Sequence, residues 1–134
     1  MDTALLSVHT GSRTVTDLTG AVGRFCAGRG DGLCHVFAPH ATAGLALMEL
    51  GAGSEEDLGR LLAELLPRQD RYRHRHGSTG HGGDHLLPVL VGPDLTLPVF
   101  GGLPALGPWQ SVVLVDPNVD NADRQVRLSF LDGR

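Results

Sequence analysis

The chain has no lysine: all 11 of its basic residues are arginine. Schiff-base chemistry through a lysine, and phosphate binding of the lysine-loop type, are therefore excluded. Charge is sparse and slightly acidic, with a net of -4, which argues against generic nucleic-acid binding. No apolar run approaches the length of a membrane span, and no basic-then-apolar signal opens the chain, so a cytoplasmic protein with no membrane partner is expected. Cysteine is limited to Cys26 and Cys34, on either side of a G-R-G-D-G turn. Without CxxC spacing they read as reduced, structural thiols. At 134 residues, one domain spanning 1–134 with a real core is expected.

What the chain does have is histidine, unevenly placed. The stretch Tyr72 to His85, Y-R-H-R-H-G-S-T-G-H-G-G-D-H, holds four of the seven histidines and four glycines. A segment this polar and glycine-rich is expected to be a surface loop rather than core. Upstream, His40 opens H-A-T-A-G, and Glu49 is a solitary acid in an apolar run. The expectation is that the loop folds back on His40 and Glu49 to make one polar site.

The remaining pattern is mixed. Residues 3–9 read as a strand, and Thr16 or Asp17 caps a helix to about Ala27, with Leu18, Val22 and Phe25 on one face. Leu33 to Phe37 reads as a buried strand. In the run Gly44–Leu50, Leu45, Leu47 and Glu49 share one strand face while Ala46, Met48 and Leu50 share the other. Ser54 with Asp57 resembles a helix cap. Leu58, Leu61, Leu62, Leu65 and Leu66 then form a stripe read as core, ended by Pro67. Leu86 to Val91 reads as an edge strand containing Pro88, followed by alternating strands at 95–99, 111–115 and 125–131. Two main helices against about seven short strands predict an α+β fold of antiparallel, β-sandwich-like sheets.

Three chemistries suit the histidines: transition-metal ligation, anion binding, and general acid–base work near neutral pH. His40, His74 and His85 with Glu49 offer three nitrogens and a carboxylate to a divalent metal, zinc or magnesium, although no HExxH or Cys/His spacing is present. A solvated histidine loop is the competing reading, with His76 and His81 as bystanders. Arg68, Arg71, Arg73 and Arg75, with Arg124 and Arg127 later, suit a phosphorylated small molecule or simply a solvated face. Trp109 reads as a packing anchor or a stacking wall.

The ordered series H-A-T-A-G-L from His40, then Glu49, Y-R-H to His74, Asp84-His85, Gly92, L-P-V from Leu97, G-P-W-Q ending at Trp109-Gln110, and a late strand with Arg124 resembles the YjbQ family over roughly residues 35–131. The resemblance implies an antiparallel α+β sandwich assembled as a homotrimer, with sites near subunit boundaries. It also implies a thiamine-phosphate-synthase activity, in which a hydroxymethylpyrimidine diphosphate is coupled to a thiazole phosphate with loss of pyrophosphate. On these positions His40, Glu49, His74, His85 and Arg124 carry the catalytic role, while Thr42, Trp109 and Gln110 contact substrate. The chain departs from the family at Met48 (usually Asn), at Gly51–Gly53 (an acid missing), at Arg75 (usually acidic) and at Asp94 (usually Ser). A non-catalytic trimer binding a metal or an anion is the alternative.

Overall fold

A computed structural model describes residues 1–69 and 71–134. The element order is β1 (Asp2–His9), β2 (Val15–Asp17), α1 (Thr19–Cys26), β3 (Gly32–Phe37), β4 (Gly44–Met48), α2 (Ser54–Leu65), α3 (His81–Asp84), α4 (Leu87–Leu90), β5 (Asp94–Phe100), β6 (Leu103–Pro104), β7 (Ser111–Val115) and β8 (Asp123–Asp132). The strands form a five-stranded sheet, β1-β8-β3-β5-β6, and a three-stranded sheet, β2-β7-β4, with antiparallel pairing throughout. The predicted α+β sandwich is the observed architecture.

Alternation on β4 and β7 explains the layering. Leu45, Leu47, Val112 and Leu114 face the larger sheet and α1, in a core shared with Val22, Val36, Val99 and Val126. Ala46, Met48, Val113 and Val115 face the other way, against Leu62 of α2 and Leu87 of α4. The small sheet is thus covered on both faces, which is why its strands read as nearly continuous apolar runs rather than as an apolar–polar alternation. Burying one such Leu or Val side chain stabilises the fold by roughly 1.5–3 kcal/mol.

Five local expectations are corrected. Within residues 86–91 the chain forms the one-turn helix α4, Leu87–Leu90, not a strand. Pro88 stands in its first turn, where the missing N–H has no intrahelical partner to lose. The cap of α2 is Gly53 at φ 88°, not Ser54, and no side chain caps the helix; Glu55 accepts the Gly51 N–H at 2.6 Å, ahead of the helix. Of the leucine stripe only Leu62 is buried. Leu58 and Leu66, four residues to either side, are partly buried, and Leu61 and Leu65 are exposed. The polar stretch is not all surface, since Gly82, Gly83 and Asp84 are buried. Finally, at α1 the cap position is Leu18, and Asp17, one residue before it, accepts the Thr19 N–H at 2.9 Å without being the cap.

Candidate functional site

The structure brings the sequence-predicted histidines into two separate places. His74 and His85 join His76 and His81, and the ligand nitrogens of these four lie within 4.8 Å of one another. His40 is not in that group. Its Nε2 lies 2.9 Å from the Gln125 carbonyl and 3.0 Å from the Gln125 N–H. It meets one or the other according to tautomer. Because β3 ends at Phe37, opposite Arg127, this part of β8 has no strand neighbour on that side. The His40 ring takes the place of the missing strand. Burial first, then Arg124, holds the His40 pKa below the ordinary histidine value, only partly offset by its bond to Gln125.

Thr42 and Arg124 lie in this second place. Arg124 gives Nε and Nη2 to Asp116, and Nη2 also donates to Thr42 Oγ1 at 2.8 Å. Glu49 is exposed just beyond β4 and makes no hydrogen bond to the loop among the described residues. Trp109 is 73% exposed, so it is not a core anchor, and Gln110 closes a turn by accepting the Gly107 N–H at 2.8 Å. The expected fold-back of the loop onto His40 and Glu49 is replaced by another contact. The loop docks on residues 116–120, between β7 and β8.

That docking is built from buried polar bonds. Arg68 donates to both oxygens of Asp84 at 2.6 and 2.9 Å, and Asn118 Nδ2 donates to Asp84 Oδ2 at 2.9 Å. Asp84 is 2% exposed and Asn118 4%, so the partners compensate desolvation that would otherwise be costly. Asp120 Oδ2 accepts from Ser78 N and Ser78 Oγ, both at 3.1 Å, and lies 2.8 Å from His81 Nδ1. Ser78, His81 and their bonds hold the Asp120 carboxyl below its usual range despite some desolvation. Tyr72 crosses the loop, and its hydroxyl donates to the Pro67 carbonyl at 2.9 Å. A Cβ at Gly82 would stand 2.4 Å from the His74 carbonyl and 2.6 Å from Tyr72 Cβ, so this crossing requires glycine.

Helical geometry explains half of the histidine group. His81 and His85 are four apart on α3 and its cap, which places them on one side of the turn. Their Nε2 atoms are 3.0 Å apart. His74 packs on both, with ring centroids 5.2 Å from His81 and 4.3 Å from His85, and His76 lies 3.9 Å from His74. Lost hydration and repulsion from neighbouring rings lower the pKa of His74 and of His85, so both favour the neutral, ligand-competent form. Nitrogen–zinc bonds of about 2.0–2.1 Å put tetrahedral ligands about 3.3 Å apart, close to the spacing of the His81/His85 pair. Around the same cleft are Arg75, Ser78 and Thr79.

His76 and His81, bystanders in the solvated-loop reading, belong to the cluster, and Asp116, Asn118 and Asp120 behind it carry no site signal in the sequence. The H-x-x-x-H spacing of His81 and His85 was a usable signal. Nothing in the D-P-N-V-D-N turn announced that it would face the histidines.

An antiparallel α+β sandwich presenting a histidine cluster on a loop is the class of protein defined so far. The comparisons with known proteins make it specific. The family model described as UPF0047 protein YjbQ-like matches residues 4–133, and the chain belongs to that family. It is 62% identical over 133 residues to a UPF0047 protein of Mycobacterium tuberculosis, covering 99% of this chain and 100% of the relative. A UPF0047 protein of Archaeoglobus fulgidus is 32% identical, over 83% of this chain and 87% of its own length. Among solved structures, a hypothetical protein of Aeropyrum pernix superposes with a TM-score of 0.88 at 31% identity, covering 98% of both chains. A conserved hypothetical protein of Thermus thermophilus superposes at 0.82 with 34% identity, over 96% of this chain and 99% of its own. No helix among the described residues is long and apolar enough to cross a membrane.

Proposed function

We propose that the chain binds a divalent transition metal through His74, His76, His81 and His85, and that the loaded centre receives the oxyanion of a phosphorylated small molecule. The observation that carries this is the convergence of four imidazoles, their ligand atoms within 4.8 Å, on one loop. Of the two metals expected, zinc suits an all-nitrogen set, whereas magnesium requires oxygen ligands. Closing the four nitrogens onto one ion shortens the widest separation by at most about 1.5 Å. Exposed His74 and His76 can supply that by rotating their rings. Arg75 adds a guanidinium at the rim, whose one hydrogen bond among the described residues is from Nε to the Tyr72 carbonyl at 2.8 Å.

A bound zinc supplies positive charge to a leaving phosphate, the requirement of the pyrophosphate-releasing transfer that the family resemblance implies. The chain's own residues support a second reading equally directly. Glu49 is exposed outside the cluster, and Arg124 is paired with Asp116, so neither is on hand as a base or a charge-stabilising group there. The same histidines then make a metal-binding site without catalysis. The homotrimer remains part of both readings. The outer face of the larger sheet exposes Leu5, Leu33, Phe37 and Leu131, which neighbouring copies would cover.

Metal analysis of untagged protein tests the centre, beside His85→Ala and His40→Ala variants. About one zinc per chain, lost in His85→Ala and retained in His40→Ala, is the expected result. Zinc absent from the wild type, or lost only in His40→Ala, refutes it. Release of pyrophosphate from the diphosphate and thiazole phosphate pair then decides between transferase and binding protein, and sedimentation equilibrium decides the trimer.

A further inference from the structure

We infer that Asp120 is a positioning residue for the histidine centre: it selects the tautomer of His81 that leaves Nε2 free to take a ligand. This rests on the metal-binding reading for its purpose, though not for its geometry. Asp120 Oδ2 stands 2.8 Å from His81 Nδ1. An ionised carboxylate only accepts, so the proton of that contact sits on Nδ1. A neutral imidazole has one N–H. With it on Nδ1, Nε2 carries a lone pair that accepts from the His85 Nε2–H, 3.0 Å away, a proton that metal binding displaces. This is the carboxylate–histidine arrangement that orients metal ligands and raises their basicity.

A rival for the same nitrogen makes the point sharper. Asn118 Nδ2 lies 3.1 Å from His81 Nδ1. The Asn118 amide cannot present its oxygen there, because Oδ1 accepts the Asp120 N–H at 3.1 Å while Nδ2 donates to Asp84. Two groups therefore impose opposite tautomers on His81. The carboxylate contact is shorter and charge-assisted, and it prevails. Without Asp120, Asn118 would donate into Nδ1 and the proton would move to Nε2, closing that nitrogen to metal. Glycine at position 77 keeps the contact open. A Cβ there would stand 2.7 Å from Asp120 Oδ2 and 2.9 Å from His81 Nδ1, at a φ of 80°.

The test is long-range proton–nitrogen NMR of the His81 ring in metal-free protein at about pH 8, with a zinc titration of the same samples. The wild type should show Nδ1–H. Asp120→Ala should show Nε2–H and bind zinc about 10- to 100-fold more weakly. Asp120→Asn keeps an acceptor oxygen for Ser78 and His81, and should retain the wild-type tautomer with affinity between the two. If the alanine variant does not fold, weaker zinc binding by Asp120→Asn than by the wild type is the readout, and equal affinity overturns the inference. An Nε2–H ring in the wild type, or an unchanged tautomer in Asp120→Ala, overturns the inference. So does equal zinc affinity in wild type and Asp120→Ala. A wild type that binds no zinc refutes the metal centre instead, and the tautomer then judges Asp120 alone.

Discussion

Arg124 places Nε 2.7 Å and Nη2 3.1 Å from the two carboxylate oxygens of Asp116, with the side chains 3% and 0% exposed. Removing one partner of such a pair strands a charge away from water, at a cost of about 3–5 kcal/mol. Asp116→Ala and Arg124→Ala should each lower urea-unfolding stability by that order. The double replacement Asp116→Leu/Arg124→Met should recover most of the loss, because two apolar side chains leave no uncompensated charge. Equal losses in the double and single variants would show that the pair matters through shape and not through charge.

The second prediction concerns pH. His40, His74 and His85 are all held below the ordinary histidine pKa of about 6.5, by lost hydration first and neighbouring positive charge or rings second. In the unfolded chain these rings take protons near pH 6.5, while the native rings take them only at lower pH. The unfolded state therefore binds more protons as pH falls, and native stability must fall with it. The melting temperature of metal-free protein should decline from about pH 7 toward pH 5 and level off below the native values. His40→Gln should flatten that decline without affecting zinc stoichiometry. A melting temperature that rises on acidification would contradict the sign.

How much of this was legible in the sequence follows from the range of the forces involved. The two faces of β4 could be read residue by residue, because Leu45 and Met48 obey a strand period of two and both faces are apolar. The leucine stripe of α2 gave the helix but not its exposure. The amphipathic period says which residues share a face, while the layer packed against it reaches only Leu58, Leu62 and Leu66. Pro88 does not discriminate between strand and helix, because proline is equally at home on a strand edge and in the first turn of a helix. At the site, composition singled out the histidine-rich stretch, and the family resemblance singled out His74 and His85 within it. The separation of His40 from them depends on where β3 stops beside β8, and the recruitment of Asp120 depends on a contact 39 residues away from His81. Neither leaves a local signature.

The third prediction follows from burial of the thiols. Cys26 and Cys34 are free and fully buried. Desolvation raises both, and Cys34 is pushed up to about 12 with the neighbouring Cys26 contributing after burial. The thiolate is the reactive form, so both should resist a thiol-specific reagent at neutral pH while the protein is folded and react together on unfolding. A native thiol that reacts at the rate of an exposed cysteine would remove the structural assignment.

Two glycines of ordinary appearance in the sequence should respond to alanine in opposite directions. Gly59 lies inside α2, and a Cβ built there meets nothing within 4 Å. Gly59→Ala should stabilise the protein by about 0.4–1 kcal/mol, through reduced freedom of the unfolded chain and better helix propensity. Gly82 is packed under Tyr72, where a Cβ falls 2.4 Å from a backbone carbonyl that no side-chain rotation can move aside. Gly82→Ala must displace either Tyr72 or the His74 segment, and so should destabilise by about 1–3 kcal/mol, the usual cost of overpacking. Because His74 moves with that carbonyl, Gly82→Ala should weaken zinc binding as well, while Gly59→Ala leaves it unchanged. Measuring urea unfolding and zinc affinity on both variants separates the loop's packing from its chemistry. If Gly82→Ala binds zinc like the wild type despite lost stability, the histidines do not depend on the Tyr72 crossing for their placement.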